Sequence, residues 1–350
     1  MTVLSAWTRG GAHGSAHRFA LQCDGCFPPR FTFGDAETIR RFGWRFDDLE
    51  GGPHRCPVCP PSGARRTPPA AALSGHPELP NLIVIGAAKS GTTSLHRYLA
   101  VHPEIQMSAV KELRFFQDPR ALERRDEYAR FFDGRAAVRG EATPAYTYHP
   151  LIPDVPERIR ATVPDARLIY VVRDPVERAI AAYAEARAND KEDRTADEAL
   201  RDPQDDYSPY LAPSRYGMQA ERFLDHFPRE QLLVVHQRDL LGRRLETMRR
   251  IFRFLGVDED FESPDFAEEA NTRAGKRRRN WAGRALHRSR LLRVAQRLPD
   301  RPRALLLRPL RRLTSQPIEV AVSPDVRARL DQSLGDELGR LSAVVVPRSS

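Results

Sequence analysis

NLIVIGAAKSGTTS, Asn81 to Ser94, is the stretch whose reading decides the fold. Its opening, Asn81–Ile85, is a short apolar run rich in β-branched side chains and reads as a buried strand. A small-residue loop follows from Gly86 to Gly91, and Thr92–Val101 reads as a helix with Leu95, Tyr98 and Leu99 on one face. Strand, small-residue loop and helix amino terminus in succession make an anion cradle. Backbone N–H groups converge there, the helix dipole favours negative charge, and Lys89 adds a full positive charge. The order differs from the common GxxxxGK[ST] loop, because Lys89 precedes Gly91 by two. The plainer alternative is a strand-to-helix turn with an exposed lysine.

Further along the chain, strand and helix signals alternate. RLIYVV (Arg167–Val172) is a second buried-strand run, followed by a helix over Pro175–Ala188. Glu221–Phe227 reads as a helix, QLLVV (Gln231–Val235) as a third strand and Leu245–Leu255 as a helix. This alternation predicts an α/β domain: a parallel sheet flanked by helices, of the P-loop nucleotide-binding type. With 350 residues, the chain suits two domains, or one large domain with an appendage. Composition divides it into a module at 1–60, a Pro/Ala-rich linker at 61–79, the α/β domain at 80–280 and a basic, helical extension at 281–350 packed on that domain.

All four cysteines fall in the first module, as Cys23-Asp-Gly-Cys26 and Cys56-Pro-Val-Cys59. Two CxxC knuckles can bring four thiolates around one tetrahedral zinc, so the expectation is a zinc-ribbon-like module with a structural ion. Two disulfides or a redox CxxC are the alternatives. His54 is available in place of one thiolate but is not needed.

Charge is uneven. The chain carries +9 overall, and Lys276 to Arg312 alone hold fourteen basic residues against the single acid Asp300. The remainder is mildly acidic, which argues against a global coat for nucleic acid. The later basic run suits a helix with a solvated face, a polyanionic acceptor, or a weak contact with an anionic membrane surface. No apolar stretch approaches the roughly 18–20 residues of a membrane span. The first residues lack the apolar core of a signal peptide, so a cytoplasmic location is the expectation.

The lysine-first KSGTTS loop after an apolar strand resembles the 5′-phosphosulfate loop of the sulfotransferase family, which uses 3′-phosphoadenosine 5′-phosphosulfate (PAPS). Arg173-Asp-Pro-Val-Glu-Arg178, at the end of the second strand, looks like the family's 3′-phosphate segment, with Ala181 standing where that pattern has serine. Lys111-Glu112-Leu-Arg-Phe115-Phe116 and Gly140-Glu141-Ala-Thr143-Pro144-Ala-Tyr146 resemble elements of the heparan-sulfate-type carbohydrate branch. Asn271-Thr-Arg-Ala-Gly275-Lys276-Arg277-Arg278 looks like the family's late basic loop, and Tyr216 sits in another recurrent element while also suiting a core aromatic. The resemblance runs from about Leu79 to Arg279 and leaves the cysteine module uncovered.

The resemblance implies a site as well as a fold. Lys89 and the Ser90, Gly91, Thr92, Thr93 and Ser94 segment would hold the 5′-phosphosulfate. Arg173, the Ala181 position, Tyr216, Gly275, Lys276 and Arg277 would lie at the rest of the nucleotide. Glu141 would be the base for an acceptor hydroxyl, the implied classes being carbohydrate or a glycosylated small molecule, and Lys111 would bridge donor sulfate and acceptor. No metal is expected in the transfer step, since fixed cations and the helix dipole face the spreading charge. His102 and His149 rank below Glu141 because neither lies in a matching motif. Two other classes remain: a P-loop kinase, disfavoured by the loop order, and a zinc-ribbon nucleic-acid-binding protein, which leaves Glu141 unexplained. Retained PAP, ADP or DNA on the purified protein would distinguish the three.

Overall fold

The computed structural model describes residues 78–267 and 320–345 in full, and the backbone of strands at 3–9, 16–23, 30–35, 277–279 and 315–317. Near the amino terminus, β1 (Val3–Arg9), β2 (Ala16–Cys23) and β3 (Arg30–Asp35) form an antiparallel sheet. Cys23 ends β2 opposite Arg30 of β3. Cys26, Cys56 and Cys59, and residues 61–77 of the expected linker, lie outside the described residues.

Five parallel strands build the central sheet: β4 (Leu82–Gly86), β5 (Ile105–Met107), β6 (Val138–Ala142), β7 (Arg167–Val172) and β8 (Leu232–His236). Their order is β5-β6-β4-β7-β8, so the first strand of the domain is the central one. The chain leaves β4 to one side for β5 and β6, then crosses to the other for β7 and β8. The carboxyl ends of β4, β6 and β7 therefore flank a topological switch point, where open α/β sheets hold their ligands.

The helices follow from local sequence. Thr92–Ala100 is α1, Arg125–Ala129 α2, Val155–Thr162 α3 and Pro175–Ala188 α4. Ala196–Ala199 is α5, Tyr216–Leu224 α6, Gln237–Gly242 α7 and Arg244–Leu255 α8. Pro324–Leu334 is α9 and Glu337–Val345 α10. Helix α4 has its start fixed twice. The Asp174 carboxylate accepts from Glu177 N–H at 2.7 Å, and Pro175 occupies the first turn, where its lost N–H costs nothing. Arg173 is thereby held between the end of β7 and the start of α4.

Period-2 alternation divides the strands between two cores. Ile83, Ile85, Leu168, Tyr170 and Val172 face Tyr216 and Phe223 on one side. Leu82, Val84, Ile169 and Val171 face Leu95, Leu99, Ile251 and Phe252 on the other. Each fully buried aliphatic chain contributes about 1.5–3 kcal/mol, which accounts for continuous apolar strands without polar alternation. A third cluster joins α4 to α9 through Val176, Ala179, Ile180, Val326, Leu330 and Leu334. Helix α10 packs on α6, where Gly217 N–H donates to Glu337 at 3.1 Å.

Helix α6 begins five residues before the expected Glu221, and β5 and β6 were not legible as strands. Gly217 in α6 lies so close to α10 that an added Cβ would meet Arg340 at 3.1 Å, so tertiary packing favours a helix that glycine propensity alone does not. In β6, VRGEA, a Cβ on Gly140 would come to 2.8 Å from Met107 and 2.9 Å from Leu82. Close strand approach requires the glycine there. Among the described residues, no helix is long and apolar enough to cross a membrane.

Candidate active site

The cradle loop leaves β4 and turns sharply. Ala87 N–H donates to Val171 at 2.6 Å, and Ser90 N–H returns to the Ala87 carbonyl at 3.2 Å. Lys89 and Gly91 both take left-handed backbone, with φ of 72° and 99°. Gly91 suits this freely and Lys89 does not. Neighbouring Gly86 has no room for a side chain, since a Cβ would meet Thr147 Oγ1 at 2.2 Å. Helix α1 has no side-chain cap and no acid in its first turn. Ser90 is fully buried, with its hydroxyl facing that of Tyr216 and making no hydrogen bond of good geometry. An uncapped helix start, an orphaned hydroxyl and a lysine fit an anionic group such as a phosphate.

Arg173 ties the loop to the next strand end. Its Nη1 donates to the Lys89 carbonyl at 3.2 Å, and its own N–H reaches the Tyr216 hydroxyl at 3.5 Å. Tyr216 is fully buried beneath the loop, and burial raises its phenol above the ordinary range, so it stays a neutral support. Ala181 is buried on α4 and offers no hydroxyl. One turn further along, Glu185 Oε2 receives the Lys89 ammonium at 2.8 Å. Gly275 and Lys276 lie outside the described residues. Arg277 opens β9 (Arg277–Arg279), a strand that pairs with β10 (Ser315–Pro317) and lies beside α4.

Glu141, the expected base, lies at the carboxyl end of β6. It is fully buried on β6, and three hydroxyls donate to it: Thr143 at 2.7 Å, Tyr146 at 2.6 Å and Tyr128 at 2.9 Å. Burial pushes its pKa up, and the hydroxyl donors and Lys111 oppose that rise. Both oxygens are thus hydrogen-bonded and the carboxylate has no exposed surface. Its partners also hold the preceding loop. Thr143 Oγ1 accepts Arg114 N–H at 3.1 Å, Tyr146 Oη accepts Phe116 N–H at 3.4 Å, and Phe115 stacks on Tyr128 with ring centroids 4.1 Å apart.

That loop presents Glu112, a residue quoted within KELRFF but given no role by sequence reasoning. Its side chain is 39% exposed, with Lys111 Nζ at 2.8 Å on one oxygen and Arg114 Nη2 at 3.2 Å on the other. Burial alone would raise the Glu112 pKa; Lys111 first, then Arg114, bring it below the ordinary 4.5. Glu112 and Arg114 also hold left-handed backbone, φ 62° and 55°. Strain of this kind costs on the order of 1–3 kcal/mol per residue and persists where surrounding bonds over-determine it. Here the Glu141 hydroxyl network and the Glu112 N–H to Ala142 bond at 3.0 Å do so.

Tyr148 follows the short turn Pro144–Thr147 beyond β6. Burial raises its phenol, and its hydroxyl lies within electrostatic reach of Arg178, Glu112, Arg114 and Glu185. Glu112 N–H is bonded to Ala142 at the end of β6 and Lys89 follows β4, so the Lys111–Glu112 and Lys89–Glu185 pairs lie at the carboxyl ends of neighbouring strands. His102 is excluded from it: the ring is buried past the far end of α1 against the Asp258 carbonyl at 3.0 Å. His149 lines a separate cavity of about 760 Å³ with Arg215, Glu337 and Arg340. Among the described residues no cluster of His, Cys, Asp or Glu is arranged to hold a metal.

Comparison with known proteins bears on the family. The model of the sulfotransferase family matches residues 80–159 and 136–262, together more than half of the chain. Human heparan sulfate glucosamine 3-O-sulfotransferase 3B1 is 33% identical over 193 residues, covering 53% of this chain and 48% of its own. Human bifunctional heparan sulfate N-deacetylase/N-sulfotransferase 2 is 29% identical over 199 residues, covering 51% of this chain and 22% of its own. This chain therefore spans about half, or less, of the length of these curated relatives. The crystal structure of a sulfotransferase from Alicyclobacillus acidocaldarius superposes with a TM-score of 0.54 at 26% identity, covering 77% of this chain and 96% of that one. With its sheet, its cradle and the family match all falling on the same segment, the chain belongs to the sulfotransferase family.

Proposed function

We propose that this chain is an enzyme that moves a sulfuryl group from PAPS to an acceptor hydroxyl, with a carbohydrate as the favoured acceptor class. The observation that carries the reading is an uncapped helix start with Lys89 and Arg173 beyond β4 and β7, and the Lys111–Glu112 pair bonded to the end of the neighbouring β6. PAPS supplies the sulfuryl group in activated form, as a mixed anhydride with its 5′-phosphate. The N–H groups from Ser90 to Ser94 and Lys89 would hold that end, and Arg173 with the β9 segment the 3′-phosphate. The matched relatives named for heparan sulfate support the carbohydrate class.

In the transfer, the acceptor oxygen bonds to sulfur as the bond from sulfur to the 5′-phosphate oxygen breaks. Lys89 neutralises the charge left on that oxygen. The acceptor proton passes to a carboxylate, and Glu112 takes this role in place of Glu141. Glu112 is open to solvent and kept ionised by Lys111, whereas Glu141 is enclosed by hydroxyls and shapes the loop that presents Glu112. The separate expectation of one structural zinc on Cys23, Cys26, Cys56 and Cys59 rests on the chemistry of four thiolates. Metal analysis of purified protein checks it, with about one zinc per chain expected.

The test of the main reading is transfer of radiolabelled sulfate from PAPS to heparan-type oligosaccharides and to other hydroxyl acceptors. Labelled sulfate ester with PAP released in equal amount supports the reading. Absence of transfer to every acceptor, with ADP in place of PAP retained on the protein, would sink it.

A further inference from the structure

The Lys89 ammonium, the full charge of the cradle, already has a carboxylate partner. Glu185 Oε2 lies 2.8 Å from Nζ, with the two side chains 24% and 44% exposed. The contact spans 96 residues of sequence and joins the loop after β4 to the third turn of α4. Both members are oriented from behind. Arg173 Nη1 fixes the Lys89 carbonyl at 3.2 Å, so the lysine side chain alone is left to swing. Asn189 Nδ2 donates to the Glu185 carbonyl at 2.9 Å and approaches its Oε1 at 3.5 Å, leaving Oε2 toward the lysine.

Position on the helix adds a second argument. Glu177, Ala181 and Glu185 recur every fourth residue and so share one face of α4. Glu177 is neutralised by Arg327 of α9 at 2.7 Å and by Arg173 at 4.0 Å. Ala181 contributes no polar atom. Glu185 is therefore the group on this face that answers Lys89. A carboxylate in contact with the cradle lysine opposes a polyanionic ligand, because the ammonium cannot serve two anions at full strength.

We propose that Glu185 is a positioning residue and a built-in competitor: it holds Lys89 in the ligand-free protein, and the 5′-phosphate end of the donor takes Lys89 from it. The inference rests on the donor reading proposed above. It makes donor affinity depend on a charge exchange localised at the 5′ end of the nucleotide. The 3′ end, on the side of Arg173, does not take part.

The experiment compares wild type and Glu185→Gln by calorimetry with two ligands that differ in one group: PAP, and adenosine 3′-monophosphate, which lacks the 5′-phosphate. The expected result is PAP bound about threefold tighter by the variant at low salt, the scale of a partly exposed ion pair, with the gain fading as salt rises. Adenosine 3′-monophosphate should bind both proteins equally. Because the ion pair is partly exposed, the unliganded Tm should change little, and this is measured alongside. An equal shift for both ligands would show general repulsion or a structural effect and overturn the proposal. Unchanged or weaker PAP binding by the variant overturns it while leaving the donor reading intact. Failure of wild type to bind PAP at all overturns both.

Discussion

Lys89 and Glu112 carry the sharpest expectations at the scale of single residues. Lys89→Ala removes the charge set against the leaving oxygen and should lower kcat by about 10²–10³, as the loss of one transition-state donor does, while unliganded Tm stays unchanged. Single-turnover kinetics at saturating PAPS check it; a loss under threefold removes Lys89 from the chemistry. The two carboxylates are separated by pH. Glu112 is held below the ordinary 4.5, so it stays a proton acceptor to lower pH than a free glutamate. The acidic limb of kcat should then lie below 4.5, and Lys111→Ala should move it upward by removing the first of the charges opposing burial. Glu141 is displaced in the other direction, so a limb above 4.5 would return the role of base to Glu141. Glu141→Gln should instead cost stability, about 1–3 kcal/mol, because an amide cannot accept from three hydroxyls as a carboxylate does. Thermal unfolding of Glu141→Gln beside Glu112→Gln, whose exposed side chain should cost little, gives the comparison.

At the level of elements, the parts with strong local signals were legible and those made by packing were not. The strand at Arg167–Val172 and the helix at Pro175–Ala188 were readable because an apolar run, an Asp cap and a first-turn proline agree. Asp174→Ala should lower stability by about 0.5–2 kcal/mol and weaken PAP binding, since the same cap sets the position of Arg173. Denaturant melts paired with PAP titration test both halves of that statement. By contrast, VRGEA of β6 carries one large aliphatic residue and a glycine, and its strand state comes from β4 and β5 on either side. The surroundings of Glu141 were illegible for the same reason. Its motif marks it as important, but only the neighbouring Tyr128, Thr143 and Tyr146 reveal that it is enclosed. Glu185 lies four residues beyond Ala181, where sequence attention stopped, and its partner is far away along the chain.

For the whole molecule, the carboxyl-terminal helices matter because they close the third core. Leu330→Ala should cost about 2–5 kcal/mol by opening a cavity against Val176 and Ile180, with a matching fall in the denaturation midpoint. The fall should be smaller with PAP present, by ordinary mass action. The central place of β4 has a consequence for the newly made chain. The strand bearing the cradle emerges first in the domain, yet its flank is completed only when β7 and α4 arrive, and Lys89 waits 96 residues for Glu185. A nascent or prematurely ended chain that stops after β6 carries Lys89, Lys111, Glu112 and Glu141 with no Arg173 to secure a nucleotide. Such fragments would be chemically silent, so the site is completed only by the second half of the sheet.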